Sequence, residues 1–223
     1  MIPICDATKV EINAAFDPIF TALEAEPNDT PLSHLLYHGM PDGERRSREY
    51  VMPTILVTLL GGMQEPGHGA ANTLVGLLEN PDQMALVRSD MDSHLKKAVA
   101  EGVRWVAPIG TQGRSPLKDF EIRGVRIPAG AAISAVVASA NHDEEIYPGG
   151  DTFDMTREHK QLATFGFGPH FCAGKWMSLA QMELALRILL EEFSEITLDQ
   201  DHPHQFFGWE FRSPDKVCVK LKR

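Results

Sequence analysis

The sequence predicts a mainly α-helical protein that carries small β-sheets. Apolar residues recur at helical spacing over most of the chain, between breaks rich in proline, glycine and asparagine. Short strand-like stretches occur near residues 120–127 and again in the C-terminal tail. The chain has 223 residues, which is enough to bury a sizeable core, and we expect one domain over residues 1–223.

The first part of the chain is predicted to be helical almost throughout. The first 40 residues indicate a helix, a break at 27–29 and a second short helix. Residues 44–78 form a long, mainly apolar helical pattern that is interrupted at Gly61 and Gly62 and again at Pro66. A glycine pair and a proline are ordinary causes of a helix kink, so we expect a long kinked helix here.

The rest of the chain adds further helices, short strands and a long irregular segment. Residues 80–82 contain proline and aspartate, which are typical of the first turn of a helix. The final helix is apolar on almost every face and is therefore predicted to be buried. The other predicted elements are a helix over 92–105, strands over 120–123 and 125–127, an ordered surface segment over 141–162, the final helix over 173–193, and tail strands over 207–211 and 217–221.

Charge and cysteine content limit the classes of function. The formal net charge of −10 argues against nucleic-acid binding, which requires a basic surface. The three cysteines are widely spaced and odd in number, so no disulfide framework is expected. The longest apolar stretch, 51–62, is broken by Pro53 and is far shorter than a membrane span. With no secretory pattern at the start, these features predict a soluble cytoplasmic protein with no membrane association.

The most informative segment is residues 165–174, which we call the cysteine loop. Its sequence is Phe-Gly-Phe-Gly-Pro-His-Phe-Cys-Ala-Gly, and the glycines and proline rule out a regular helix or inner strand. The loop brings Cys172 to the start of the final helix, where the helix dipole favours a thiolate. The residues alone leave three alternatives: a packed apolar cysteine, a zinc ligand with His170 nearby, or a thiolate ligand of a larger cofactor.

Four residues of the cysteine loop resemble a long and specific family signature. Phe165, Gly168, Cys172 and Gly174 match the pattern F-x-x-G-x-x-x-C-x-G of the cytochrome P-450 family. The resemblance implies the C-terminal part of that fold, with a long kinked central helix, a cysteine loop and a buried proximal helix. It also implies haem b (iron protoporphyrin IX) with Cys172 as the proximal ligand of the iron. His170 falls where a haem-propionate partner is often found.

Two further motifs match the family in the same order. Glu101 and Arg104 fit E-x-x-R, one turn apart on a helix, and are expected to lock the irregular segment that follows. Taken alone, the pair would be interpreted as a solvated surface ion pair, because the pattern is common. Arg114 matches a second arginine that binds a haem propionate, a role that suits the guanidinium fork. Its alternative is an arginine in a surface turn.

The central helix departs from the family pattern at its catalytic position. Gly61 and Gly62 resemble the glycines over the distal face of the haem, which are usually followed by an acid and a threonine that relay protons. Here Gln64 takes the place of the acid and Glu65 that of the alcohol. Glu65 could donate protons as a carboxylic acid, or it could only solvate the helix groove. The departure leaves room for peroxide use or for a product other than simple hydroxylation.

The resemblance implies a haem-thiolate monooxygenase that uses dioxygen and electrons from a ferredoxin or another redox partner. The substrate would be small and lipophilic, and Lys175 with neighbouring basic residues could face an acidic partner. The match covers only the C-terminal half of family members. Either the gene is truncated, or a missing N-terminal half or a homo-oligomer completes the pocket, or this half functions by itself. The alternatives are a non-catalytic or degenerate haem-binding half-domain, and a zinc or redox protein.

Overall fold

The computed structural model describes residues 2–158 and 162–223. The described chain is mainly helical with small sheets, which confirms the predicted fold class. It divides into two compact units, Met1–Leu60 and Gly61–Arg223. The predicted irregular segment over 141–162 is described except for residues 159–161, which lie outside the described residues.

The first unit contains three helices, α1 (Ile2–Ala25), α2 (Pro31–Tyr37) and the greater part of α3 (Arg48–Met63). Thr30 is the N-cap of helix α2, because its hydroxyl accepts a hydrogen bond from the backbone N–H of Ser33. The buried apolar side chains of this unit come from all three helices. They are Phe20, Leu23, Leu36, Val51 and Ile55.

The break between α3 and α4 (Glu65–Glu79) lies at Gln64. The predicted interruption at the glycine pair is wrong, because α3 continues through both glycines to Met63. Pro66 falls in the first turn of α4, where its missing N–H has no helical partner to lose and its fixed φ favours a new start. The proline, rather than the glycines, therefore determines where the second helix begins.

Helices α4, α5 (Pro81–Ser89), α6 (Met91–Trp105) and α8 (Lys175–Glu192) form the core of the second unit. The close approach of α4 to α6 and α8 depends on a glycine in α4. A Cβ at Gly69 would lie 2.6 Å from the sulfur of Met182 in α8 and 3.3 Å from Val103 in α6. A side chain at this position would therefore require the end of the Met182 side chain to move.

Helix α8 is buried on one side only, which corrects the expectation that it would be buried all round. Its buried residues are Met182, Leu186 and Leu190. The apolar composition of α8 does not show which of its faces pack against other parts of the described chain. The exposed apolar residues on the opposite face are Met177 at 65%, Leu184 at 57% and Ile188 at 57%. Trp176, in the first turn, is also exposed, at 73%.

In the described residues of the second unit, the strands form four two-stranded antiparallel sheets, and a short helix, α7 (Val137–Ala140), follows β4. The predicted hairpin near residue 124 is confirmed, with Arg123 and Gly124 in the left-handed conformation of a tight turn. The pairs are β1 (Gln112–Arg114) with β4 (Ile133–Ala135), β2 (Phe120–Ile122) with β3 (Val125–Ile127), β5 (Glu195–Leu198) with β8 (Val219–Lys222), and β6 (Phe206–Phe207) with β7 (Ser213–Pro214).

The C-terminal tail differs from its prediction. The expected strand over 207–211 is only the two residues of β6, and it pairs with β7, which lies between the two predicted tail strands. The second tail strand, β8, pairs instead with β5, which follows α8 directly. Strands β1, β4 and β5 were missed because segments this short carry no clear alternation of apolar and polar residues.

Candidate cofactor site

The cysteine loop is closed by a backbone hydrogen bond across its length. The N–H of Cys172 donates to the carbonyl of Phe165 at 2.9 Å, and the N–H of Phe171 donates to Gly168 at 3.0 Å. Gly166 and Gly168 adopt φ values of 67° and 65°, which disfavour residues that carry a side chain. The glycines therefore allow the chain to fold back and present the cysteine at the end of the loop.

Cys172 lies just before the N-terminus of α8 with its thiol free and partly buried. The predicted start of this helix at 173 is two residues early, because Gly174 is the N-cap. A Cβ at Gly174 would have the Cys172 sulfur as its nearest neighbour in the described chain, at 4.0 Å. The surface beside the sulfur is thus open, and a flat group could approach it without a clash.

Lys175 is held by three aromatic rings around the start of α8. Its Nζ atom lies 5.4 Å from the centroid of Phe165, 5.4 Å from that of Phe171 and 4.7 Å from that of Trp176. These separations suit cation–π attraction, which orients the ammonium near the cysteine loop.

Arg114 and His170 are both exposed on the same unit as Cys172. Arg114 donates to the carbonyl of Gly113 at 2.8 Å and to the side-chain oxygen of Gln112 at 3.0 Å. The Gln112 amide also lies within 3.4 Å of the position that a Cβ on Gly166 would take, so it connects Arg114 to the cysteine loop. Within the described ranges neither Arg114 nor His170 has a carboxylate ion-pair partner, which leaves both able to receive one.

Glu101 and Arg104 are fully buried and make a paired set of hydrogen bonds. Arg104 donates through Nε to Oε2 of Glu101 at 2.8 Å and through Nη2 to Oε1 at 2.7 Å. Its remaining bonds go to the backbone carbonyls of Asn141, Gly150 and Thr152, at 2.8, 2.8 and 2.9 Å. The surface alternative for this pair is therefore wrong, since the two side chains have no exposed area.

Asn141 is a positioning residue that the sequence analysis missed. Its side chain is fully buried, donates to the hydroxyl of Thr164 at 2.8 Å and accepts from the N–H of Ala163 at 3.2 Å. The carbonyl of the same residue receives a bond from Arg104, so Asn141 connects the buried ion pair to the chain that enters the cysteine loop. An asparagine just after the apolar residues of α7 was the signal that could have revealed it.

At the break before α4, Gln64 is exposed and makes no side-chain capping bond. Glu65 is partly buried, and its Oε1 atom lies 3.8 Å from the position of a Cβ on Gly61. The other carboxylate oxygen is buried and has no hydrogen-bond partner among the described residues. Gly62 has open space around it. Of the two candidates for proton donation, only Glu65 therefore points into a protected environment.

The described residues contain no cluster of three His, Cys, Asp or Glu side chains that could hold a metal ion. Cys172 and His170 therefore lack the further protein ligands that a tetrahedral zinc site needs in this part of the chain. Within the same residues, no helix is both long enough and apolar enough to cross a membrane.

Comparison with known proteins decides the family. A family model described as Cytochrome P450 matches residues 21–219, which is most of the chain. The chain belongs to the cytochrome P450 family. This P450 is 36% identical to 6-deoxyerythronolide B hydroxylase of Saccharopolyspora erythraea over 181 residues, which cover 79% of the chain and 43% of that relative. It is 32% identical to Cytochrome P450-terp of a Pseudomonas species, over 77% of the chain and 40% of that relative.

Solved P450 structures share the fold. Cytochrome P450 CYP109Q5 from Chondromyces apiculatus superposes with a TM-score of 0.90 at 27% identity, covering 100% of this chain and 57% of that structure. The P450 described here thus spans less than half of the two curated relatives and somewhat more than half of the solved structure.

Proposed function

We propose that this chain is the haem-binding part of a haem-thiolate monooxygenase that oxidises a small lipophilic substrate. The observation that carries the proposal is the cysteine loop, in which a hydrogen-bonded turn presents a free thiol next to an open glycine surface. The haem, which we take to be haem b, would supply the binding and reductive activation of dioxygen.

The residues around the loop fit an iron porphyrin. The sulfur of Cys172 would bind the iron, and Gly174 leaves space for the flat ring beside it. The propionates would be received by Arg114 and His170, which are exposed cationic or hydrogen-bonding side chains without acidic partners in the described chain. Gln112 would orient Arg114 through its hydrogen bond at 3.0 Å.

Glu65 would supply protons at the break before α4. Monooxygenation inserts one atom of dioxygen into the substrate and reduces the other to water, so protons and electrons are consumed in equal number. The Glu65 carboxyl has a buried oxygen with no partner in the described chain, and it can hold a proton there and release it. Gln64 is exposed and its amide does not titrate, so we assign it no proton transfer.

Electrons would come from a ferredoxin or a similar donor. Lys175 is partly exposed beside the cysteine loop and is held by its aromatic neighbours, so it can present a positive charge to an acidic partner. One of the relatives is named a steroid C26-monooxygenase, which is consistent with a lipophilic substrate.

The absorption spectrum of the reduced, carbon monoxide-treated protein tests the proposal. The chain is expressed with haem supplementation, and a strongly red-shifted Soret band is expected from thiolate ligation. The Cys172→Ser variant should lose that band, while Cys218→Ser, at another partly buried cysteine, should keep it. A wild-type band at the position of histidine-bound or free haem would contradict the assignment and favour a non-catalytic or degenerate half-domain.

Haem retention tests whether another chain completes the pocket. This chain covers 40% of one relative and 43% of another, so we expect a wall of the pocket to come from elsewhere and the haem to be held weakly. Transfer of haem to apomyoglobin measures the retention. Slow transfer from a monomer would contradict this expectation, whereas slow transfer from a homo-oligomer would show that a second copy supplies the wall.

A further inference from the structure

A row of buried polar atoms follows one side of α4. The Oε2 atom of Glu65, the Nδ1 atom of His68 and the Oδ1 atom of Asn72 are buried without a hydrogen-bond partner in the described part of the chain. The three residues are spaced three and four positions apart, so their side chains lie next to one another on successive turns. Helix α4 therefore carries a polar strip that begins at its first residue.

The backbone of Arg212, which precedes β7, lies against the last residue of the strip, Asn72. The Nδ2 atom of Asn72 donates to the backbone oxygens of Val106 at 2.8 Å and of Arg212 at 3.3 Å, so these bonds fix the orientation of the amide. The Nη1 atom of Arg212 is also buried without a partner among the described residues. Its Cδ atom lies 2.6 Å from the position of a Cβ on Gly110, which shows how closely the side chain is packed.

Buried polar atoms at these positions would destabilise the folded protein if no water molecule made a hydrogen bond to them. Leaving a buried donor or acceptor without a hydrogen bond costs about 1–3 kcal/mol for each group. Ordered water removes this cost where a few polar atoms converge, and such water usually makes about three hydrogen bonds. Glu65, His68, Asn72 and Arg212 offer carboxylate, imidazole, amide and guanidinium atoms, so donors and acceptors are both present.

His68 is the residue of the strip that can pass a proton through its ring. Burial lowers the pKa of the imidazole below its usual 6.5, and the neighbouring Glu65 carboxylate raises it in part. The ring is therefore mainly neutral near pH 7, with one nitrogen that donates and one that accepts. Asn72 and Arg212 do not exchange protons readily, but they can hold and orient water.

We propose that Glu65, His68, Asn72 and Arg212 line a water-filled proton path, in which His68 passes protons to Glu65. The inference rests on the proposed monooxygenase function and extends it beyond Glu65. In each transfer one ring nitrogen of His68 releases its proton to the Glu65 carboxylate. The other nitrogen takes a proton that the water held by Asn72 and Arg212 relays from bulk solvent, so this water is not consumed. The ring is neutral before and after, and its tautomer is then reset.

Titration of the His68 ring by NMR tests the link to Glu65. In the 223-residue chain, Glu65→Gln removes the negative charge that raises the pKa of His68, so the pKa of His68 should fall. The control is Glu79→Gln at the far end of α4, where the carboxylate lies 3.3 Å from His204. That variant should leave the titration of His68 unchanged. An unchanged pKa of His68 in Glu65→Gln would overturn the path.

Exchange of the His68 ring proton with water tests the end of the proposed path that contains Arg212. Magnetisation transfer from water to the His68 ring N–H should slow roughly tenfold in Arg212→Met, which removes the guanidinium, and recover in part in Arg212→Lys. Equal exchange rates in the wild type and Arg212→Met would contradict the path. None of these measurements requires catalytic turnover. They therefore test the proton path even if the carbon monoxide spectrum contradicts the proposed monooxygenase function.

Discussion

Arg104 donates a hydrogen bond of 2.8 Å to the backbone carbonyl of Asn141, and the side chain of Asn141 in turn holds the chain that leads into the cysteine loop. The ion pair in α6 is therefore connected to the loop through one buried asparagine. This connection gives a structural reason to expect that changes far from the thiol alter the loop.

The buried ion pair should be essential for stability. Arg104→Ala removes the cation that makes two hydrogen bonds to the buried Glu101 carboxylate and leaves the more distant Arg157, at 3.7 Å. We expect a loss of about 3–5 kcal/mol in the free energy of unfolding, or insoluble protein. Urea denaturation measures the change. Arg126→Ala is the control, because it breaks an ion pair whose arginine is 78% exposed and should have little effect. A soluble, haem-replete double variant Glu101→Ala/Arg104→Ala would contradict the structural role.

Asn141→Ala should loosen the entrance to the cysteine loop. The change removes the partner of the Ala163 N–H and one partner of the Thr164 hydroxyl, and we expect a loss of about 1–3 kcal/mol in unfolding free energy. Thermal unfolding and haem retention are measured together, and both should fall. The matched variant Asn13→Ala changes an exposed asparagine in α1 and should alter neither. Wild-type haem retention in Asn141→Ala would show that the loop does not depend on this residue.

Two helical glycines should respond in opposite ways to alanine. A Cβ at Gly102 would lie 2.8 Å from the Thr73 Cα, so Gly102→Ala must push backbone apart and should destabilise the protein. Gly67 has open space around it within α4, and Gly67→Ala should stabilise by about 0.5–1 kcal/mol. The midpoints of urea unfolding measure both changes. The same sign for both variants would contradict the described packing.

Arg114→Ala should weaken haem binding without unfolding the protein. The side chain is exposed and bonds to its own β1 neighbours, so its loss removes a proposed propionate partner but little packing. We expect at least a several-fold faster transfer of haem to apomyoglobin, with the melting temperature of the haem-free protein unchanged. Lys118→Ala, at a nearby exposed cation, provides the control. Equal transfer rates for the two variants would remove Arg114 from the site.

The stability of the sheet of β5 and β8 should depend on pH below about 4. Hydrogen bonds from His202 and Lys220 lower the pKa of Asp199 from 3.8 to about 2. A carboxyl with a depressed pKa contributes stability above its unfolded pKa and loses it as the pH falls through the folded value. Asp199→Asn should therefore destabilise at pH 7, and its difference from the wild type should shrink from about pH 4 to pH 2. Asp201→Asn, at an exposed neighbour, should show no such trend.

The local sequence was sufficient to predict the structure where the backbone preferences of glycine and proline determine the conformation. The glycines and proline of the cysteine loop, the turn at Gly124 and the helix start at Pro81 each require a particular local conformation, and the structure has it. The break before α4 was misplaced because glycine permits a kink but does not impose one, whereas Pro66 favours a new first turn.

Tertiary structure alone decided which side chains meet. The sequence by itself determined the helical class, the cysteine loop and the spacing of Glu101 and Arg104. It could not show that Asn141 would bridge that pair to the loop, or that only one side of α8 would be covered. Nor could it bring Arg212 next to Asn72, since these residues are distant in sequence and meet only through packing of the backbone. The spacing of residues in the sequence shows which side chains share a face of a helix or strand. Whether that face is buried, and what it pairs with, depends on the elements that pack against it.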